Sequence, residues 1–206
     1  MNQEQQLIDI LEKAPFRKEI FKAVSELELP ECYVAGGFIR NAVWDALYKK
    51  AEPAPVNDID VVYFRSLSSY EIQEQELIAQ IRAHRMNPVW EEEDDACATL
   101  NKKFPQFTFE VKNQARMHLW HRRTHEHEAY KSISDALSDW VETSTPIGAN
   151  LKDGKIAILA PQGLDDLFAG VLRATRPEHE PRLYERAKMK GWVSRWPQLR
   201  FESWKR

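Results

Sequence analysis

Residues 32–48, CYVAGGFIRNAVWDALY, carry the strongest constraint on the fold. Cys32 to Ala35 form a short apolar run that stops at the adjacent pair Gly36 and Gly37. Beyond it, Phe38, Ile39, Val43, Trp44, Leu47 and Tyr48 recur at helical spacing. The segment predicts a strand, a glycine turn and a helix over Phe38–Tyr48. Glycine has no Cβ, so such a turn can take a positive φ and bring backbone close to a ligand. The chain has only 7 glycines in 206 residues, about half of ordinary usage. Two side by side therefore mark a local backbone demand. The helix that follows would offer free N–H groups and a positive dipole end, which suits a phosphate.

The other elements alternate in type. Helices are expected over Gln3–Lys13 and Arg17–Leu27, the second ending before Pro30. A proline-rich loop, AEPAPVN, leads to a buried strand over Ile59–Phe64. A helix over Ser68–Arg85 opens at Ser68 or Ser69 with Glu71 near its start. The acids from Glu91 to Asp95 read as a solvated face, because five in a row scatter around an element. Phe107–Val111 reads as a strand and Asn113–Arg123 as a basic helix. Ile156–Leu159 is a further strand, Gly163–Val171 a turn with a short helix, and Tyr184–Trp196 a last helix. Strands alternating with helices predict a small α/β (α+β) fold: a mixed sheet flanked by helices. The length suits one domain over residues 1–206, with a helical segment at 1–30 and a basic helical tail at 181–206.

Composition narrows the function classes. No run of about 18 apolar residues exists to cross a membrane, and the polar start does not read as a signal peptide. Cys32 and Cys97 form no CxxC motif and read as free thiols of a cytoplasmic protein. A net charge of -3 excludes whole-surface nucleic-acid binding. The tail 181–206 is the exception, with eight basic groups against Glu185 and Glu202 and five interleaved aromatics. It faces a polyphosphate or nucleic acid, or packs its tryptophans on the body.

Three pieces carry chemistry. Gly36 and Gly37 are the first. Asp58 and Asp60 are the second: on a strand they point the same way, and a cation between them removes their repulsion. Glu110, in the apolar strand FTFEV, is the third. Beside Asp58 and Asp60 it would complete a metal triad; without them it would be an edge-strand surface acid. Four histidines, His118, His121, His125 and His127, form a rival zinc cluster. With no cysteine near and no HExxH spacing, they read as a polar helix end.

The order VAGGFIRNAVWD, NDIDVVYF and FEVKNQARMHLW resembles the polymerase-β-type nucleotidyltransferase superfamily. Asp58 follows Gly37 by 21 residues, as that pattern requires. A group of bacterial nucleotidyltransferase-like proteins of this length resembles the chain nearly end to end, through VKNQARMHLWH, PQGLDDLF and YERAKMKGWVSRWPQL. The GGFIRN and DID half also resembles transfer-RNA CCA-adding enzymes, but the remaining chain lacks length for their RNA-binding domains and shows no base-selecting motif. Two departures stand out: Glu110 where that group has aspartate, and Arg65 where the DxD strand often ends in aspartate.

The resemblance implies transfer of an NMP from an NTP, such as ATP, to a hydroxyl-bearing acceptor with loss of pyrophosphate. Mg²⁺ or Mn²⁺ would sit on Asp58, Asp60 and Glu110, with Gly36 and Gly37 cradling phosphates. Arg40 would contact phosphate or pair with Asp45 or another acid. Lys112 and Arg116 would offset pyrophosphate charge if both lie on a helix. Asn113 and Gln114 would read a base or sugar, or cap that helix. Asp165 and Asp166 match the group's pattern and read as helix caps. The alternatives are a nucleotide sensor or partner protein without turnover, and an RNA-directed (tRNA-type) nucleotidyltransferase using the tail.

Overall fold

Alternation along Ile59–Tyr63 (β2) sets the two faces of the sheet. In the computed structural model, which describes residues 2–56, 58–68, 73, 91–119 and 129–204, Ile59, Val61 and Tyr63 enter the main core. Val62 points to the other face, into a second cluster with Ala35, Phe64, Ala115, Ile133 and Leu137. Strand periodicity places Asp60 on that second face as well.

The sheet runs β3-β2-β1-β4-β5. Tyr33–Ala35 (β1) lies antiparallel to β2 and to Gly148–Lys152 (β4), and β4 pairs antiparallel with Lys155–Leu159 (β5). Phe109–Asn113 (β3) runs parallel to β2, giving a mixed sheet at one edge. The main core fills the space between one face and the helices Gln3–Glu12 (α1), Pro15–Ser25 (α2), Gly37–Leu47 (α3) and Glu91–Lys103 (α4). Ile133–Ser138 (α5) covers part of the other face through Ile133, Ala136 and Leu137.

The C-terminal third closes onto α3. Asp165–Ala169 (α6) ends at Gly170, and Val171–Arg173 (β6) pairs parallel with Arg200–Glu202 (β7). Between them stand Glu180–Met189 (α7) and Trp192–Arg195 (α8). Trp192 and Trp196 bury against Trp44, with ring centroids 6.0 and 5.1 Å away. Asp45 fixes this seam, accepting from Trp196 Nε1 at 2.9 Å and Arg195 Nη2 at 3.3 Å. The tryptophans of the basic tail thus pack on the body. Among the described residues no helix is long and apolar enough to cross a membrane.

Several elements differ from the sequence expectations. β3 lies two residues later than FTFEV, because pairing with β2 carries the ladder through Tyr63↔Asn113. The basic helix expected over Asn113–Arg123 begins as a 3-10 helix, Gln114–Leu119, and residues 120–123 lie outside the described residues. Asn113 bonds both the N–H and the carbonyl of Arg65, and its Oδ1 also accepts the Ala115 N–H at 3.1 Å, so it caps the start of this 3-10 helix from the end of β3. The last helix breaks in two at Gly191, which is left-handed at φ 63°. Asp166 lies in the first turn of α6, where it accepts from Arg173 and Thr143 and ties β6 to the body. The helix expected over Ser68–Arg85 lies, but for Ser68 and Gln73, outside the described residues, as do His121, His125 and His127.

The acid run holds the clearest correction. It forms the first turn of α4, but Glu93 is completely buried. Glu93 pairs with buried Arg116 and lies 3.7 Å from Lys112 Nζ. It also accepts the Asn113 N–H at 2.7 Å. Breaking a buried pair by removing one partner costs about 3–5 kcal/mol. Glu93→Ala is therefore expected to lower the urea midpoint sharply, whereas exposed Glu91→Ala leaves it near wild type. Equal midpoints would contradict the burial argument.

Candidate active site

The sheet register brings the three predicted pieces into one row. Ala35 opposes Asp60 and Asp60 opposes Glu110, so the strand end before Gly36, the second aspartate and the glutamate are neighbours. Asp58 precedes β2 by one residue and shares its face with Asp60. All three acids, with Gly37, line one cavity of about 1330 Å³.

Gly36 has φ 71°, and a Cβ built there would sit 2.6 Å from Asp60 Oδ2 and 3.5 Å from the Trp140 ring. The missing Cβ is the space into which the Asp60 carboxylate folds. The Gly36 N–H is tied to the Ile147 carbonyl at 3.3 Å, which holds the turn against β4. Gly37 differs, since a Cβ there would meet its nearest neighbour, Arg40 Nη2, at 3.7 Å. No side chain caps the N-terminus of α3, leaving its first-turn donors for a ligand in the cavity.

Charge is concentrated on Asp60. Burial, then Asp58, then Glu110 push its carboxyl up to about 6, while Lys190 and Arg186 pull the other way. A carboxylate pressed by two others is the environment a divalent cation relieves, and an all-oxygen donor set suits Mg²⁺ or Mn²⁺. The residues fit such an ion in type and adjacency. Among the described residues no three metal-ligating groups already converge on one point.

Arg40 lines the cavity and pairs with another acid, as one reading allowed, but as a buried residue rather than a surface one. Its guanidinium is buried over the rings of Trp192 and Trp44, 4.1 and 4.8 Å from their centroids. Nη1 donates to Thr145 Oγ1 at 2.7 Å and Glu142 Oε1 at 3.3 Å. Nε and Nη2 both reach Asn41 Oδ1. Its acid is Glu142, not Asp45. Burial pulls its pKa down to about 10, with Glu142 opposing.

Lys112 lies on β3 beside Val62 and lines the cavity. Arg116, in the 3-10 turn, is fully buried against Glu93 and does not line it. The two do not share a helix face, and Arg116 is enclosed away from any phosphate in that cavity. Asn113 is also buried and structural, while Gln114 lines the cavity.

The structure adds groups that sequence spacing did not single out. Glu142 and Thr145 come from the loop before β4, where no periodicity marks them. Arg182 and Arg186 on α7 and Lys190 at its C-cap line the same cavity; the sequence signal for them was only the tail's net positive charge.

A family model described as a nucleotidyltransferase matches residues 22–91 and 84–201. Among solved structures, the chain is similar to a protein whose NMR structure is described as revealing a CCA-adding enzyme head domain. That likeness has TM-score 0.69 and 25% identity over 97% of this chain and 95% of that one. A CCA-adding enzyme in complex with CTP gives TM-score 0.47 and 17% identity over 93% of this chain and 47% of that one. A tRNA-processing enzyme complex gives 0.45 and 20% over 89% and 43%. The chain spans less than half the length of these last two. No curated protein matches the chain.

Proposed function

The chain belongs to the nucleotidyltransferase family, and from that premise we propose that it moves an NMP from an NTP to a hydroxyl on an acceptor in a metal-dependent reaction. The observation that carries the reading is the row of Ala35, Asp60 and Glu110, with Gly36 folded beneath the Asp60 carboxylate. Such an arrangement supports the reading because backbone able to bind phosphate would then lie beside paired carboxylates.

Asp58, Asp60 and Glu110 would hold Mg²⁺ or Mn²⁺, which supplies charge neutralisation at the reacting phosphate and acidifies the acceptor hydroxyl. The backbone N–H groups at the start of α3, from Gly37 on, would cradle the terminal phosphates, with Gly36 shaping the turn that aims them. Glu110, exposed at the cavity wall, takes the hydroxyl proton. The acceptor oxygen bonds to the α-phosphorus. The bond from that phosphorus to its bridging oxygen breaks, and pyrophosphate departs with the electron pair. What the reaction requires of its acceptor is a hydroxyl, on a small molecule, a protein or an RNA.

Thermal melting with each of the four NTPs and Mg²⁺ tests the donor side. A ligand at about 100 times its Kd adds about 2.7 kcal/mol to stability. Wild type is expected to melt several degrees higher with at least one NTP, and Asp58→Asn to lose that gain. No shift with any NTP, or an equal shift in Asp58→Asn, counts against the reading.

A further inference from the structure

Along one face of α7 and its C-cap stand Arg182, Arg186 and Lys190, spaced four residues apart. All three line the same cavity as Asp58, Asp60 and Glu110. Leu183 and Ala187 bury another face of the helix and fix its rotation.

Glu142 organises this wall. Its side chain is 1% exposed, yet it serves two guanidiniums. Oε1 accepts from Arg40 and from the Thr145 hydroxyl, while Oε2 lies 3.6 Å from Arg186 Nε. Arg40 is committed to Glu142, Thr145, Asn41 and two indole rings, so it has little left for a ligand. The Arg186 side chain is 32% exposed and lies against Glu142 and near the Trp192 ring. The Lys190 ammonium makes no hydrogen bond or ion pair among the described residues. Arg40, Arg182, Arg186 and Lys190 against Glu142 and Glu185 leave an excess of two positive charges on this wall.

We propose that Arg186 and Lys190 form the subsite for the donor's terminal phosphates and the departing pyrophosphate, with Glu142 and Arg40 as the buried brace that aims Arg186. The assignment rests on the nucleotidyl-transfer reading for the identity of the anion. It makes Arg186 and Lys190 the phosphate-facing cations. Glu142 and Arg40 become positioning residues.

Calorimetric titration of the full chain with inorganic pyrophosphate, with and without Mg²⁺, tests the subsite without needing an acceptor. Wild type is expected to bind. Arg186→Gln and Lys190→Gln should each weaken binding about tenfold, the scale of one charged hydrogen bond. Lys188→Gln, an exposed change on the same helix outside the cavity, should leave it unchanged. Glu142→Gln should weaken it as Arg186→Gln does, and the double variant should be no worse than either, because the two act as one unit. A merely structural Glu142 would give additive losses. Should Glu142→Gln fail to fold, Arg186→Gln and Lys190→Gln still decide. The subsite is overturned if wild type does not bind, if both α7 variants bind as wild type, or if Lys188→Gln weakens binding equally. Wild-type label transfer from an NTP alongside such a result leaves nucleotidyl transfer standing. Sensitive pyrophosphate binding without any label transfer keeps the anion subsite and removes that reaction.

Discussion

Asp60→Asn is expected to lower NMP transfer by about a thousandfold or more, the scale on which losing one preorganised charged group acts. Asp60 is central to the row: Ala35 is its partner on one side and Glu110 on the other, and its carboxylate occupies the hollow over Gly36. The same change should raise the melting temperature of the metal-free protein. Folding holds the Asp60 carboxyl up near 6 against its ordinary 3.8, so its ionised form opposes folding. That opposition is complete above about pH 6 and shrinks as the pH falls from there towards 3.8. The stability gain of Asp60→Asn should therefore be largest above pH 6 and fade below pH 4. A variant both inactive and more stable at neutral pH identifies a carboxylate kept for chemistry. Loss of both together would make Asp60 a structural residue.

Gly36→Ala carries the second largest expected effect. The substitution meets two separate penalties, a positive φ of 71° and a Cβ only 2.6 Å from Asp60 Oδ2. The backbone penalty is on the order of 1–3 kcal/mol. The clash cannot be relieved without moving the carboxylate, so transfer should fall about a hundredfold even in protein that still folds. Two alanine controls separate the causes. Gly154 has φ 75° with nothing within 4 Å of a built Cβ, so Gly154→Ala should lose stability only. Gly37 has ordinary contacts and a helical backbone, so Gly37→Ala should keep most activity. Measuring kcat/KM and Tm on the three variants checks the ordering. An active Gly36→Ala, or an inactive Gly154→Ala, would contradict it.

Much of this architecture was legible in the sequence because period and glycine act locally. The run into Gly36, the helix after it and IDVVYF are each decided by neighbours in the chain. Pairing of β2 with β3 was anticipated from Asp58, Asp60 and Glu110 as a set, and the register places Asp60 beside Glu110. What was not legible depends on residues far apart. Glu93 looks like any surface acid until Arg116, 23 positions later, folds under α4. Arg40 meets Glu142 across 102 positions, and neither residue carries a local sign of the other. β4, α5 and the β6–β7 pair were not anticipated. GANLK alternates weakly, and VLR and RFE are too short for a period to register. The break at Gly191 was marked by the glycine but overridden by the helical pattern around it. The packing reading of the basic tail holds for Trp192 and Trp196, which lie on α3, while Arg186 and Lys190 line the cavity.

The most direct measurement uses the purified chain with Mg²⁺, a cell extract as acceptor source, and NTPs labelled at either the α or the γ position. The account predicts that α-label appears in an acceptor, that γ-label leaves only as pyrophosphate, and that Asp60→Asn abolishes both. Transfer of γ-label to the acceptor, or α-label transfer undiminished in Asp60→Asn, would contradict it.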